Sequence, residues 1–373
     1  MDASVNRIPL SSDERTIVIG IRLPGEDNSF HSLEELERLV VTAGAKVVLT
    51  RMLKRERLDP ASILGKGHLE ELDRLIRELN ARLVVFDLNA IRPAQVRNLE
   101  ERLKCRVVGR TEIIMEIFAR RARSSEAKIQ VELAQLKYIL PRLKGLGGVL
   151  SRLGGGIGTR GPGEKMLETD RRHIARRIAG LNRRLAKIQR HRALTRKARR
   201  REFVGAVVGY TNAGKSTLIN TLAHDDLFVE DRLFATLDSY TRSVYLGDNA
   251  RCLLVDTVGF IRNLPAHLVE SFKSTLEEIQ YADFLVHVVD LSSLDMERCM
   301  ETVTTQLAAL NCADRETILF FNKVDRCADE TRIARLHNRY PRAIVGSAVN
   351  GTGCDELKMR IREIMPRAFL AGS

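Results

Sequence analysis

The sequence contains no tryptophan, and aromatic residues make up only 5% of its 373 residues. Its six cysteines form no C-x-x-C pair, which disfavours a zinc site or a disulfide framework and favours a reduced, cytoplasmic protein. No apolar run reaches the roughly 18 residues that a membrane span needs. The first twenty residues carry charges and no apolar core, so no signal peptide is expected. What remains is a chain long enough for two or three packed domains.

Acidic residues are missing from one long stretch, because none lies between Arg171 and Arg201. Residues 110–201 carry 25 Lys and Arg against 7 Asp and Glu, a net charge of +18. The whole chain is +13, so the other residues sum to −5. Charge concentrated in one segment favours a surface that binds nucleic acid. The alternative is a solvated helix face, which usually mixes glutamate with lysine at i,i+4 spacing.

The same segment has the apolar periodicity of two helices. Apolar residues recur at steps of three and four from Phe118 to Leu140, and again from Ile174 to Ile188. These are seam positions of a coiled coil, and Pro141 is expected to end the first helix. The pattern predicts an antiparallel helical hairpin.

A glycine-rich tip joins the two predicted helices. Residues 145–163 include nine glycines in nineteen positions, together with arginines and aliphatic residues. A flexible linker would be glycine, serine and polar residues alone. The mixture favours a loop that enters a narrow anionic crevice, and the lack of aromatic residues there disfavours base stacking. We expect recognition of folded RNA through its backbone and shape.

One run matches the phosphate-binding pattern G-x-x-x-x-G-K-[ST] at every fixed position. Its residues are Gly209, Tyr210, Thr211, Asn212, Ala213, Gly214, Lys215 and Ser216, followed by Thr217. An apolar run of strand type precedes it and a helical pattern follows, which is the context that the motif requires. Backbone N–H groups and the helix N-terminus would bind phosphate oxygens. Lys215 would neutralise the β- and γ-phosphates, and the Ser216 hydroxyl would bind Mg²⁺.

Three later motifs, each placed after a strand-like run, select the nucleotide. They are Asp256, Thr257, Val258 and Gly259; then Asn322, Lys323, Val324 and Asp325; then Ser347, Ala348 and Val349. Asp256 would hold a Mg²⁺-bound water, and the Gly259 N–H would meet the γ-phosphate. Asp325 would accept hydrogen bonds from guanine N1–H and its exocyclic amine, two donors that adenine lacks. This order predicts a GTP-hydrolysing domain.

A switch threonine is expected between the phosphate-binding run that ends at Ser216 and the motif that begins at Asp256. The stretch that fits is Phe234, Ala235, Thr236, Leu237 and Asp238. Thr236 would complete the Mg²⁺ shell only when the γ-phosphate is present, which would order the loop. Thr241, Thr211 and Thr221 are the alternatives. The catalytic residues are therefore predicted to be Lys215, Thr236 and Gly259, with Ser216 and Thr236 as metal ligands.

The glutamine that orients the attacking water in many GTPases is absent. Phe260 takes its place after Gly259, and a phenyl ring cannot hydrogen-bond water. Hydrolysis by the protein alone should therefore be slow, with stimulation by a partner. The alternative is that Phe260 merely packs and that a different side chain of this chain positions the water.

The N-terminal part alternates strand-like and helix-like runs, which predicts a small parallel sheet. The fold class is therefore α/β, with a P-loop domain of mostly parallel sheet after this small domain and the hairpin. The predicted divisions are an N-terminal domain at 1–109, the basic hairpin at 110–201, the P-loop domain at 202–366 and a short tail at 367–373.

The sequence resembles the HflX-type family of GTPases. The resemblance rests on the run Gly147–Glu164 in the tip and on the motifs at Gly209–Ser216, Phe234–Asp238 and Asp256–Phe260. It implies binding to the large ribosomal subunit, with the tip near the peptidyl transferase centre. We expect a monomer that uses Mg²⁺ and has rRNA, the large subunit and the 70S ribosome as partners. The resemblance further implies splitting of stalled ribosomes under stress. A GTP-gated assembly checkpoint that docks on large subunits without splitting is the alternative.

Overall fold

The computed structural model describes residues 14–25, 30–150, 162–198, 202–223, 233–234, 240–262, 265–271, 273–327 and 329–370. The chain packs as two compact units. The first consists of Met1–Arg120, Lys128–Ala186 and Pro265–Ser271, and the second of Arg121–Ala127, Lys187–Leu264 and Phe272–Ser373. Among the described residues, no helix is long and apolar enough to cross a membrane.

The first unit contains a four-stranded parallel sheet in the order β2-β1-β3-β4. The strands are β1 (Arg15–Arg22), β2 (Lys46–Lys54), β3 (Leu83–Phe86) and β4 (Arg106–Gly109). The helices between them are α1 (Phe30–Thr42), α2 (Lys66–Glu78) and α3 (Pro93–Leu103). The predicted small parallel sheet is confirmed.

Burial explains why these strands are almost uniformly apolar. Every residue of β3 is buried, and so are Ile17 to Ile21 of β1, because helices cover both faces of a parallel sheet. At the end of β3, Asp87 accepts a hydrogen bond from Arg110 at 3.1 Å, and Glu35 pairs with the same guanidinium. Arg110 is 1% exposed, so this buried ion pair joins the end of β3 to the helix that begins at Arg110.

The next helices are α4 (Arg110–Arg121), α5 (Ser125–Leu150) and α6 (Pro162–Ala198). The prediction of one continuous helix from Phe118 to Leu140 is wrong, because α4 ends at Arg121 and a separate helix, α5, begins at Ser125. The Ser124 hydroxyl accepts from the Ala127 N–H at 3.0 Å and so caps a new helix there. Pro141 does not end a helix either, since it lies inside α5. An internal proline costs a helix roughly 3 kcal/mol, so α5 is helical at Pro141 against this local penalty.

Helices α5 and α6 form the predicted antiparallel hairpin. Glu132 accepts two hydrogen bonds from Arg177, at 2.6 and 3.0 Å. Glu132 lies 18 residues before the end of α5, and Arg177 lies 15 residues after the start of α6. At about 1.5 Å per residue these positions are similarly far from the turn, as an antiparallel pair requires. The helical backbone reaches into both ends of the predicted tip, whose residues 151–161 lie outside the described chain.

The second unit contains a six-stranded sheet in the order β10-β9-β8-β5-β7-β6. Its strands are β5 (Val204–Gly209), β6 (Thr241–Gly247), β7 (Ala250–Asp256), β8 (Phe284–Asp290), β9 (Thr317–Asn322) and β10 (Ile344–Val345). Only β6 and β7 pair antiparallel among the strands described. Asp248 and Asn249, with φ of 45° and 59°, form the tight turn between them. The predicted mostly parallel P-loop fold is confirmed.

The helices of this unit place the motifs at the carboxyl edge of the sheet. They are α7 (Lys215–Ala223), α9 (Lys273–Tyr281), α10 (Met296–Ala309), α11 (Glu330–Arg339), α12 (Cys354–Ile364) and α13 (Arg367–Leu370), whereas α8 (Ala266–Ser271) belongs to the first unit. Leu218 of α7 and Leu357 of α12 pack with Val286 of β8 in the core. The predicted tail thus begins with a helical turn.

Candidate functional site

The phosphate-binding loop has the predicted strand–loop–helix form. It leaves β5 at Gly209 and enters α7 at Lys215. Asn212 and Gly214 have positive φ, 62° and 95°. A Cβ on Gly214 would lie 2.2 Å from Asn322 Nδ2, so only glycine fits there. The loop therefore presents consecutive backbone N–H groups at the N-terminus of α7, which is an anion-binding arrangement.

The side chain of Lys215 folds back against the phosphate-binding loop. Its ammonium donates to the carbonyl oxygens of Gly209 at 3.3 Å and Tyr210 at 3.0 Å. Burial lowers the pKa of Lys215 to about 8; the nearby Asp256 carboxylate opposes the shift and Lys323 adds to it. A buried ammonium whose hydrogen bonds go to neutral carbonyl groups gains from the arrival of an anion, so this environment favours binding of a phosphate group.

Asp256 and Ser216 meet beside the lysine. The Ser216 hydroxyl donates to Asp256 Oδ2 at 2.5 Å. Both groups are oxygen donors, so the pair fits the ligand preference of a hard divalent cation such as Mg²⁺. The next residue, Thr257, is buried and donates its hydroxyl to the Val207 carbonyl at 2.7 Å, which fixes the end of β7 beside β5. Val258 is buried too.

Gly259–Arg262, here called the switch arm, is docked on the phosphate loop. The Phe260 N–H donates to the Gly209 carbonyl at 3.1 Å, and the Thr211 N–H donates to the Phe260 carbonyl at 2.7 Å. A Cβ on Gly259 would lie 2.7 Å from Thr211 Cα, so glycine allows this close approach. Phe260 is 2% exposed, and its ring packs in the interior. Its burial agrees with a packing role and leaves water positioning to another group.

The guanine motif reaches the same loop from the opposite side. Asn322 donates to the Ala213 carbonyl and accepts from the Ala348 N–H, both at 2.8 Å. Lys323 donates to the Asn212 carbonyl and to Asp290, also at 2.8 Å. The structure therefore brings the phosphate loop, the Asn322 motif and the Ser347 motif together, although they are distant in sequence.

Asp325, the residue predicted to recognise guanine, is accessible to solvent. Asp325 lies exposed in a 3-10 turn, Val324–Arg326. The Val324 N–H donates to the Gly346 carbonyl at 3.1 Å and fixes the turn beside β10. Ser347 is buried, whereas Val349 is 72% exposed. The Asp325 carboxylate is thus open to a base that enters from solvent.

The switch-threonine stretch is only partly described. The Phe234 N–H donates to Thr211 Oγ1 at 2.8 Å, and Phe234 is buried. Ala235, Thr236, Leu237 and Asp238 lie outside the described residues. Two of the alternative threonines already form hydrogen bonds with the backbone. Thr211 accepts from the Phe234 N–H, and Thr221 donates to the Ala348 carbonyl at 2.6 Å. Thr241, the third alternative, begins β6. That Thr236 is the switch threonine stays a prediction.

A polar network that the motifs did not reveal holds the switch arm. The Arg262 N–H donates to the Tyr210 hydroxyl oxygen at 3.0 Å, and the Arg262 guanidinium donates to Asp295 at 2.6 Å. Asp295 precedes α10 and follows the loop in which Asp290 binds Lys323. Nothing in the sequence pattern links these residues, because the contacts are long-range.

Replacing Asp295 with asparagine is expected to lower GTP turnover about tenfold with little change in GTP affinity. Weakening this charge-assisted hydrogen bond would loosen the switch arm, whose Gly259 N–H has to face the γ-phosphate. Asp295 makes no side-chain cap to α10, so the helix should not suffer. Single-turnover hydrolysis and nucleotide titration measure the two quantities. Glu297→Gln is the control. Glu297 lies in the first turn of α10 and forms an exposed ion pair with Arg339 of α11, which this substitution removes. Equal turnover in both variants would contradict the role.

Helix α6 carries a second candidate surface. Its exposed arginines include Arg171, Arg172, Arg176, Arg183, Arg184 and Arg190. Arg172 pairs with Glu168 and Arg177 pairs with Glu132. A groove of about 330 Å³ lies along the first unit's part of α6, between His173 and Arg184. Ile174 and Leu181 face the buried seam, so the cations and the apolar residues occupy different faces.

The fold and the site together define the class: this protein is a P-loop GTPase. The family model described as 50S ribosome-binding GTPase matches residues 204–323. Models described as GTP-binding GTPase N-terminal and GTP-binding GTPase Middle Region match residues 30–119 and 121–199.

Curated relatives narrow the class to a family. The chain is 49% identical to GTPase HflX of Caldanaerobacter subterraneus over 84% of this chain and 73% of that protein. It is 40% identical to GTPase HflX of Escherichia coli over 91% and 80%. A crystal structure of SsGBP with GDP covers 94% of this chain and 98% of its own, with 25% identity and a TM-score of 0.52. The chain belongs to the HflX family of GTPases, as the sequence resemblance predicted.

Nucleotide binding is expected to weaken as pH rises above about 8. Below that pH the free protein already holds the charged Lys215 ammonium; above it, the depressed pKa leaves a neutral amine that must take up a proton to meet the phosphates. The affinity for GDP should fall by up to about tenfold per pH unit. Calorimetry at a pH of about 8.5 in two buffers of different ionisation enthalpy should show proton uptake, which should vanish near a pH of about 6.5. Absence of uptake in the alkaline buffers would rule the effect out.

Proposed function

We propose that this protein is a GTP-controlled factor that docks on the large ribosomal subunit and splits or rescues stalled 70S ribosomes under stress. In the GTP form, the ordered switch segments hold a docking-competent state, and the α6 arginines and the tip bind rRNA. Hydrolysis relaxes the switches and releases the factor. The protein acts as a cytoplasmic monomer in this proposal.

The observation that carries the proposal is the exposed arginine face of α6 in a chain that also has a GTPase site. The sequence has no acid between Arg171 and Arg201. Arg172 and Arg177 pair with acids outside that stretch, while Arg176, Arg183, Arg184 and Arg190 are exposed to solvent. Phosphate backbones bind such surfaces. The family model's own description, 50S ribosome-binding GTPase, supports the ribosomal large subunit as the RNA partner.

Mg²⁺ is part of the proposal. Ser216 would bind it directly and Asp256 would hold one of its waters, since the two groups lie 2.5 Å apart. Thr236 would join them in the GTP form. Bound Mg²⁺ would neutralise charge on the phosphates. Lys215 would bind the β- and γ-phosphates, and the Gly259 N–H would hold the γ-phosphate against the switch arm.

A large-subunit assembly checkpoint is the second candidate function. The same arginine face and GTPase site would serve a protein that docks on immature subunits and never separates mature ribosomes. Slow intrinsic hydrolysis, expected because Phe260 is buried where a glutamine usually orients water, suits either role.

Sedimentation separates the two candidates. Purified 70S ribosomes are mixed with the protein and either a non-hydrolysable GTP analogue or GDP, and the profile is analysed on sucrose gradients. The proposal expects free subunits with the analogue and intact ribosomes with GDP. Intact ribosomes in both samples, together with association only with precursor particles, would favour the checkpoint and end the splitting proposal.

A further inference from the structure

A cluster of cations lies at the carboxyl edge of the parallel sheet in the first unit, far in sequence from the GTPase motifs. Arg22 ends β1 and Lys54 ends β2, and the two residues are register partners. Arg55 follows β2. Together with Leu23, Pro24 and Glu56 they line a cavity of about 430 Å³. The carboxyl edge of a parallel sheet is where α/β domains place their ligands.

The three cations have no hydrogen-bond partner within the described part of the chain. Among the described residues, the side chains of Arg22, Lys54 and Arg55 form no hydrogen bond and no ion pair, and the Arg55 Nε is buried without an acceptor. The nearby Asp59 does not satisfy it. Its carboxylate accepts from the N–H groups of Ala61 and Ser62, at 2.8 Å each.

A buried guanidinium donor without an acceptor is costly, and the cost is recovered when an anion supplies the acceptor. The Arg55 guanidinium also lies close to the start of α2. A Cβ atom built on Gly65 would be 3.1 Å from it. Gly65 caps α2 without any side-chain hydrogen bond, so the first N–H groups of that helix add partial positive charge beside the guanidinium. Among the described residues that line the cavity, Glu56 is the only acid.

We propose that this cavity binds a phosphate group, with Arg22, Lys54 and Arg55 as its ligands. The arginines donate hydrogen bonds to the phosphate oxygens and Lys54 supplies a further charge, as is usual for phosphate recognition. The phosphate belongs either to a small phosphorylated compound or to an RNA backbone. The site is separate from the GTPase site, and the proposal does not depend on the ribosomal role.

The test uses the full chain with its GTPase site filled by GDP and Mg²⁺, so that added probes cannot enter it. Inorganic pyrophosphate is titrated by calorimetry, and a short structured RNA by fluorescence anisotropy. The site variant is Arg22→Gln/Arg55→Gln. The matched control, Arg77→Gln/Arg102→Gln, removes the same charge from exposed positions on α2 and α3 of the same sheet domain. Both variants should keep the thermal midpoint and the GTP turnover of the unchanged protein.

The site variant is expected to weaken binding of at least one probe by about tenfold or more relative to the control variant. Loss of pyrophosphate binding with unchanged RNA affinity assigns a small phosphorylated ligand. Loss of RNA affinity in the site variant alone assigns a backbone phosphate. Equal losses in both variants, or no difference from the unchanged protein with either probe, would overturn the proposal.

Discussion

Replacing Asp325 with asparagine is expected to weaken GTP and GDP binding by about a hundredfold or more and to admit xanthine nucleotides. The exposed carboxylate would otherwise accept two hydrogen bonds from guanine, each strengthened by its charge, and each tenfold in affinity corresponds to about 1.4 kcal/mol. Xanthine carries a carbonyl where guanine carries an amine, so the asparagine amide can donate to it. Competition of unlabelled GDP and xanthosine diphosphate against labelled GDP measures the change.

Asp314→Asn, another exposed acid of the same unit, is the matched control for that substitution and should leave the preference for guanine unaltered. If Asp325→Asn also retained it, the base assignment of the Asn322–Asp325 motif would be wrong. Because the Asn322 amide bonds to Ala213 and Ala348 remain in either variant, the phosphate loop should stay intact.

Removing charge from the α6 face is expected to reduce affinity for large ribosomal subunits by about a hundredfold at moderate salt. The variant replaces exposed arginines by glutamine at Arg176, Arg183, Arg184 and Arg190. Each arginine that no longer neutralises a phosphate should lower the dependence of log K on log salt by about one, so the slope should fall by up to about four. Subunit pelleting across a salt series measures both. GTP hydrolysis without ribosomes should not change.

The control for that variant removes equal charge elsewhere. Its glutamine substitutions are at Arg74, Arg102, Arg335 and Arg342, all exposed and away from α6 in sequence. The proposal requires that this control keep nearly full affinity and salt slope. A similar loss in both variants would reduce the α6 face to general basicity and would remove the main support for docking through it.

The sequence predicts well wherever a local pattern decides the structure. Strands such as β3 and β7 follow from short apolar runs, and the phosphate loop follows from fixed residues at fixed spacing. Pro141 shows where local rules fail: proline disfavours a helix, yet α5 continues through it to Leu150. Propensity is a local quantity that the rest of the fold can override.

The same distinction between local patterns and long-range contacts applies to the residues of the candidate site. Residues inside the motifs are found by spacing, whereas Arg262 and Asp295 are found only when the chain is folded, because they meet across 33 positions. The cavity beside Arg55 is a similar case. A single arginine after a strand carries no signal, and its meaning depends on a buried Nε that the described part of the fold leaves without an acceptor.

The proposed function requires that the large ribosomal subunit control the GTPase site. GTP turnover by the purified protein is therefore measured with and without large subunits, at fixed Mg²⁺ and saturating GTP. The protein alone should turn GTP over slowly, since Phe260 cannot orient water, and large subunits should stimulate turnover at least about tenfold. Fast turnover alone, or the same turnover with and without subunits, would contradict it.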